Sequence, residues 1–194
     1  MKYPLAETFT SVIGEGCWTG HPANFIRLAG CPVGCAFCDT DYKERELVDT
    51  TVLVNRIDRR IPIVVITGGE PAIHPLTELV TRLLNEGLTL HLETTGGFEI
   101  PTGLFHWVAV SPKRDVPVII PKEEISEVKW LYPVWQIDEY NWRLCDRHFI
   151  QPLHYGLQTP RNAKEALAAL LRNRPPKHKL LALSFQAHKM YDFR

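Results

Sequence analysis

The chain has no excess of charge of either sign: its 194 residues carry 22 Lys and Arg against 22 Asp and Glu. Without a basic surplus a nucleic-acid partner is not expected, and without an acidic tract there is no sign of a disordered tail. Long apolar runs are missing as well. Nothing approaches a membrane span, and Met1 to Glu7 holds no apolar stretch of signal-peptide length, so no membrane partner is expected and the expected compartment is cytoplasmic. Internal repeats, low-complexity tracts and evident linkers are absent too. Cysteine is scarce, at five. An odd number with three crowded together makes a poor disulfide framework and suits a metal centre in a reducing compartment.

At 45% hydrophobic residues, the chain can bury a core of its own, and one domain over residues 1–194 is expected. The polar, glycine-bearing stretch from Glu7 to Ala23 reads as a loop before a first strand, Asn24 to Leu28. Leu47 to Arg60 has apolar positions at roughly helical spacing. Ile63 to Ile66 is an unbroken β-branched run, the habit of a parallel strand buried on both faces. A helix is expected from about Pro75 to Leu84, stopped by Gly87, then strands at Leu88 to Leu92, Trp107 to Val110, Glu127 to Leu131, His148 to Ile150 and Leu180 to Phe185. Arg161 to Arg172, with its stripe of Ala and Leu, is the strongest helix, and the segment from Arg114 to Glu124 has no clear assignment. Alternation of this kind predicts an α/β fold. Because a closed eightfold barrel takes about 250 residues, the expectation is an incomplete, partly open parallel β/α barrel of about six or seven strands.

The chain is organised around Arg27 to Thr40, which holds Cys31, Cys35 and Cys38 and follows directly on the first expected strand. One loop must wrap a soft centre, either zinc or an iron–sulfur cluster. Structural zinc normally takes ligand pairs at CxxC spacing, and the second pair is missing. A [4Fe-4S] cube held by three thiolates keeps one iron without a protein ligand, where the amino and carboxylate groups of S-adenosylmethionine can chelate. The strand Ile63 to Ile66 then ends in Thr67-Gly68-Gly69-Glu70-Pro71, whose glycines allow close backbone approach and whose carboxylate suits an ammonium.

These two motifs, in this order, resemble the radical S-adenosylmethionine superfamily. Glu7-Thr8-Phe9, Gly14-Glu15-Gly16, Phe25 to Cys35, Cys38-Asp39-Thr40, Ser111-Pro112-Lys113, Gln151-Pro152 and the late Gln186, His188 and Lys189 narrow the match to the 7-carboxy-7-deazaguanine synthases. The resemblance implies a lyase of queuosine or deazapurine biosynthesis. Its reaction contracts 6-carboxy-5,6,7,8-tetrahydropterin to 7-carboxy-7-deazaguanine with loss of ammonia, using a [4Fe-4S] cluster, S-adenosylmethionine and Mg2+. It implies a homodimer and a flavodoxin-like or other electron donor. A small activase acting on a partner protein, or a non-catalytic metal-binding module, are the alternatives.

Carried over residue by residue, Cys31, Cys35 and Cys38 would ligate the cluster and Thr40 would ligate magnesium. The cofactor would meet Phe37, Cys38, Asp39, Gly69, Glu70, Ser111, Pro112, Lys113, Gln151, Pro152, Leu153 and His154. The pterin would meet Val12, Ile13, Gly14, Glu15, Arg27, Thr67 and His188, with the Arg27 fork on the substrate carboxylate. No side chain is assigned as a catalytic acid or base. The family usually has glutamine where this chain has Ile13, which leaves open whether that position acts through backbone or side chain.

Overall fold

The computed structural model describes residues 1–136, 139–154 and 159–193. Among them, nine strands form one sheet: β1 (Lys2–Val12), β2 (Pro22–Leu28), β3 (Glu46–Asp49), β4 (Ile63–Gly68), β5 (Thr89–Thr94), β6 (Trp107–Val110), β7 (Glu127–Tyr132), β8 (Arg147–Pro152) and β9 (Leu180–Leu183). Their order is β3-β1-β2-β4-β5-β6-β7-β8-β9. The seven strands from β2 to β9 in that order run parallel, which is the expected open barrel; β1 joins antiparallel to β2 and carries β3 on its other side. β3 and β9 are edges, so no ladder closes the barrel.

Two expectations fail at the amino-terminal edge. Residues 7–12 belong to a strand rather than to a loop, because β1 hides its period: a bulge between Leu5 and Glu7 puts Leu5 and Ala6 both inside, and Pro4 cannot donate to a ladder. The helix expected from Leu47 is only α1 (Thr50–Asn55), since Glu46 to Asp49 pairs with β1 instead. The remaining helices are α2 (Thr77–Asn85), α3 (Thr159–Arg172) and α4 (Ala187–Met190). The unassigned segment after Arg114 is a loop with a single bridge between Lys113 and Val116 and one 3-10 turn at Lys122–Glu124.

Side chains alternate across a strand, so each strand serves two environments. Outward go Ile26, Leu28, Val64, Ile66, Leu90, Leu92, Val108, Val110, Val128, Trp130 and Ile150, which pack with Leu53, Leu79, Val80, Leu83 and Ala166 in the main core. On the inner face a small apolar floor forms from Ile13, Ala23, Ile63 and Val65, with Trp18 and Phe25 packed against it. Beyond that floor, towards the strands' carboxyl ends, the inward positions turn polar: Arg27, Thr67, Glu93, Lys129 and Gln151. Parallel strands deliver their carboxyl ends to one rim, and the chemistry gathers there.

Candidate active site

The cysteine loop leaves β2 at Leu28 and is pinned at its base. Ala29 N–H donates to Pro4 O at 2.9 Å, and Gly30 N–H donates to Tyr42 O at 3.0 Å. Gly68-Gly69-Glu70 lies directly against this base: Glu70 N–H donates to Gly30 O at 3.0 Å, and a Cβ on Gly69 would stand 2.2 Å from the same oxygen. Here the glycine pair serves close approach of two backbones. Cys38 N–H closes a turn on Cys35 O at 3.0 Å. All three loop cysteines are free thiols and line one cavity of about 180 Å³. Burial raises the Cys35 thiol, with Cys38 and Cys31 adding and the Lys113 ammonium opposing them.

Among the described residues, no three His, Cys, Asp or Glu side chains converge at the spacing of a single metal ion. A zinc staple draws its thiolates to about 2.3 Å from one centre, whereas a cube takes each thiolate on a separate iron. Three thiols on one cavity wall are the ligand set that a cube takes on three of its irons. Cys17 and Cys145 are no part of this wall; Cys17 N–H donates to Glu127 Oε2, and the Cys145 thiol donates to Arg147 O.

Phe37, Asp39, Gly69, Ser111, Lys113, Gln151 and Leu153 line the same cavity. Lys113 Nζ donates to Ser111 O and Oγ at 2.7 and 2.8 Å, and burial lowers the pKa of this ammonium, with the neighbouring Cys35 opposing. Pro112 and Pro152 are buried, each next in the chain to a lining residue. His154 stands off the wall, its N–H donating to Gln186 Oε1 at 3.3 Å.

The Glu70 side chain lines neither cavity. It is fully buried, and its carboxylate accepts from Ala72 N–H, Thr94 Oγ1, Thr95 N–H and Thr95 Oγ1 at 2.6 to 3.0 Å. Those four donors occupy it, so it clamps the β4 exit to the β5 exit instead of facing a cavity.

A second cavity of about 410 Å³ adjoins the first. Val12, Ile13, Gly14, Glu15, Arg27, Thr67 and His188 all line it, and Asp39, Thr40, Thr67 and Glu15 face both spaces. Arg27 Nε donates to Glu7 Oε1 at 2.8 Å, and its guanidinium lies 5.8 Å from the Phe9 ring, which stacks on Phe25 at 4.8 Å. With only 21% of its side chain exposed, Arg27 is a wall residue and no surface arginine. Ile13 answers the question its identity raised. Its side chain packs into the inner floor beside Ala23, Ile63 and Val65, while its N–H and C=O are held by His21 O and Gly20 N–H.

The carboxyl-terminal segment is a built wall. Ala187 N–H donates to Gly14 O at 2.9 Å, Gln186 Nε2 donates to Glu15 Oε1 at 2.9 Å, and Lys189 is ion-paired to Asp39. A Cβ on Gly14 would lie 2.1 Å from His188 Nδ1, so a larger residue there would displace the His188 ring. Burial lowers the His188 pKa, against the pull of Glu15. Three groups escaped sequence reasoning. Glu93 and Glu7 line the wall, and Lys129, 3% exposed in its side chain, pairs with both Glu15 and Glu93. A charge set between Val128 and Trp130 was the available signal, since lysine is almost never buried unpaired.

An open parallel barrel with a three-cysteine loop at the exit of its first parallel strand defines a radical S-adenosylmethionine enzyme. No protein-family model matches the chain. It is 36% identical to 7-carboxy-7-deazaguanine synthase of Synechocystis sp. over 100% of this chain and 95% of that one, and 32% identical to the Bacteroides thetaiotaomicron protein of the same name over the whole of both. The crystal structure of QueE from Escherichia coli superposes with a TM-score of 0.74 at 30% identity, covering 97% of this chain and 95% of that one. Streptococcus suis SuiB, at 12% identity and a TM-score of 0.52, shares the fold alone. The chain belongs to the 7-carboxy-7-deazaguanine synthase family of radical S-adenosylmethionine lyases. Membership implies an iron–sulfur cluster and S-adenosylmethionine, which the thiol-lined cavity fits. No helix among the described residues is long and apolar enough to cross a membrane.

Proposed function

We propose that this protein contracts 6-carboxy-5,6,7,8-tetrahydropterin to 7-carboxy-7-deazaguanine with loss of ammonia, acting as a single domain over residues 1–194. One observation carries the reading: the seven residues expected to meet the pterin line one cavity, and that cavity adjoins the one lined by the three cysteines. Cys31, Cys35 and Cys38 would hold the [4Fe-4S] cluster, and Ser111, Lys113, Gln151, Leu153 and Phe37 would enclose S-adenosylmethionine. When bound, this pair supplies a 5′-deoxyadenosyl radical.

The chain's own residues bind, orient and shield. Arg27, steadied by Glu7 behind and Phe9 beneath, would present its remaining guanidinium N–H groups to the substrate carboxylate as a charge-assisted fork. Glu15 would accept N–H groups from the amino-pyrimidine edge. Burial works against its ionisation, but Lys129 and the Gln186 amide outweigh burial and bring its pKa down to about 2, so it is an acceptor at any working pH. Gly14 would serve through backbone and Ile13 through the apolar floor that its side chain helps to build, with His188 and Lys189 closing the space against water. Thr40 faces both cavities and would offer Mg2+ one hard oxygen, with substrate carboxylate and water completing its shell.

The setting we infer is a cytoplasmic homodimer served by a flavodoxin-like or other electron donor. Anaerobically reconstituted protein, given reductant, S-adenosylmethionine, Mg2+ and the carboxy-tetrahydropterin, should yield 7-carboxy-7-deazaguanine by mass spectrometry. Cleavage of S-adenosylmethionine without that product would reject the substrate assignment.

A further inference from the structure

The Lys129 Nζ donates to Glu15 Oε2 at 2.8 Å and also to Glu93 Oε2. Its two acceptors reach it from different elements. Glu93 stands near the carboxyl end of β5, and Glu15 hangs from the loop that joins β1 to β2. That loop is held over β7 and β9 by other contacts too: Cys17 N–H donates to Glu127 Oε2 at 2.9 Å and Gly16 N–H to Ser184 Oγ at 2.9 Å. Both glutamates face both cavities, while Lys129 lines the cysteine-walled one. Around this trio, Glu127 faces in from β7, Lys113 from the β6 exit and His188 from α4. Two carboxylates in so small a space repel, and without a cation between them one would hold its proton far above the ordinary range.

We propose that Lys129 is a positioning residue that holds Glu15 and Glu93 in unlike protonation states at the junction of the two cavities. Glu15 is kept anionic to accept substrate N–H groups, and Glu93 is left free to hold and exchange a proton. The inference rests on the pterin reading for what Glu15 accepts, and for the division between the two acids on their donors: Glu15 takes both Lys129 Nζ and Gln186 Nε2, whereas Glu93 takes Lys129 Nζ alone among the described residues. The titration directions agree with it. Burial raises both carboxyls; Lys129 overcomes burial at Glu15, whereas at Glu93 burial outweighs Lys129, with Glu15 and Glu127 adding, and the group is pushed up to about 7.

The test follows both activity and the acids themselves. Glutamate labelled with 13C at its side-chain carboxyl is incorporated into wild type, Lys129→Met and Lys129→Arg, with Glu15→Gln and Glu93→Gln to assign the two signals. In wild type the Glu15 and Glu93 midpoints should lie several pH units apart. Lys129→Met should move the Glu15 midpoint up by at least about one unit, the scale of a single close charge, and should carry the acid limb of kcat/KM for the pterin to higher pH by a similar amount. Lys129→Arg should restore most of both.

If Lys129→Met does not fold, Glu15→Gln serves in its place: with Lys129 left to Glu93 alone, the Glu93 midpoint should fall. Midpoints that coincide in wild type, or that stay put in every variant that folds, overturn the inference. A wild type that shows the separated midpoints but makes no deazaguanine product rejects the pterin reading while leaving the division of the acids standing.

Discussion

Neighbouring residues on the same strands of this sheet have opposite fates. Ile66, Leu92 and Val128 are fully buried on the outer face against the helices, while Thr67, Glu93 and Lys129, each the next residue in the chain, look into the barrel and line its cavities. The outer face is interchangeable apolar volume whose worth is stability. The inner face gives up stability for chemistry, since it places charges where water is scarce and relies on pairing to keep them there. Fold and function are thus written on alternate residues of the same strands.

The largest effect on the inner side should come from the cysteine loop. Cys35→Ala should abolish turnover and cluster incorporation, read as iron content after anaerobic reconstitution, with the far-ultraviolet circular dichroism unchanged because the thiol carries no part of the packed core. On the outer side, Leu92→Ala should cost about 2–5 kcal/mol of unfolding free energy in a denaturant titration, while turnover per folded, reconstituted molecule stays near wild type. A Leu92→Ala protein that is stable but inactive would erase the distinction between faces.

Glu70 sharpens the comparison because it sits between the two roles. Glu70→Ala removes the acceptor of four buried donors and should cost on the order of 2 kcal/mol or more by denaturant titration. If instead the carboxylate met the cofactor, affinity for S-adenosylmethionine would fall and stability would hold.

The smallest effect concerns pH. The Glu93 pKa is raised in the folded protein, to about 7, so the stability linked to it is present below the ordinary carboxyl range and is lost as pH rises through 7. Glu15 has the opposite sign: its pKa is lowered to about 2, so its contribution is present above the ordinary range and disappears as pH falls towards 2. Glu93→Gln should flatten the decline of stability between pH 5 and 8 measured by thermal unfolding, and leave the acid side as it was.

The sequence was most legible where chemistry is local. The spacing of Cys31, Cys35 and Cys38, the strand ends that deliver them, and the gathering of Val12 to Glu15, Arg27, Thr67 and His188 on one cavity were readable, because motifs and strand exits lie close together in the chain. The parallel strands announced themselves through short apolar runs. Legibility failed where partners are distant or the pattern is broken. β1 was missed because of its bulge and Pro4, and Lys129 because its partners lie 114 and 36 residues away. The inward turn of the Glu70 carboxylate is not legible either, because its motif says nothing of Thr94 and Thr95, whose hydroxyls hold it.

The claim that the inner face divides its work between a cysteine-walled cavity and an arginine-walled one is met most directly by binding. Dissociation constants for S-adenosylmethionine and for the carboxy-tetrahydropterin should be measured by anaerobic calorimetry on reconstituted wild type and Arg27→Ala. Loss of one charge-assisted hydrogen bond, at least about 1.5 kcal/mol, predicts a pterin constant weakened roughly tenfold or more, with that for S-adenosylmethionine unchanged. Equal pterin affinity in the two proteins, or loss of both ligands together, would contradict the division.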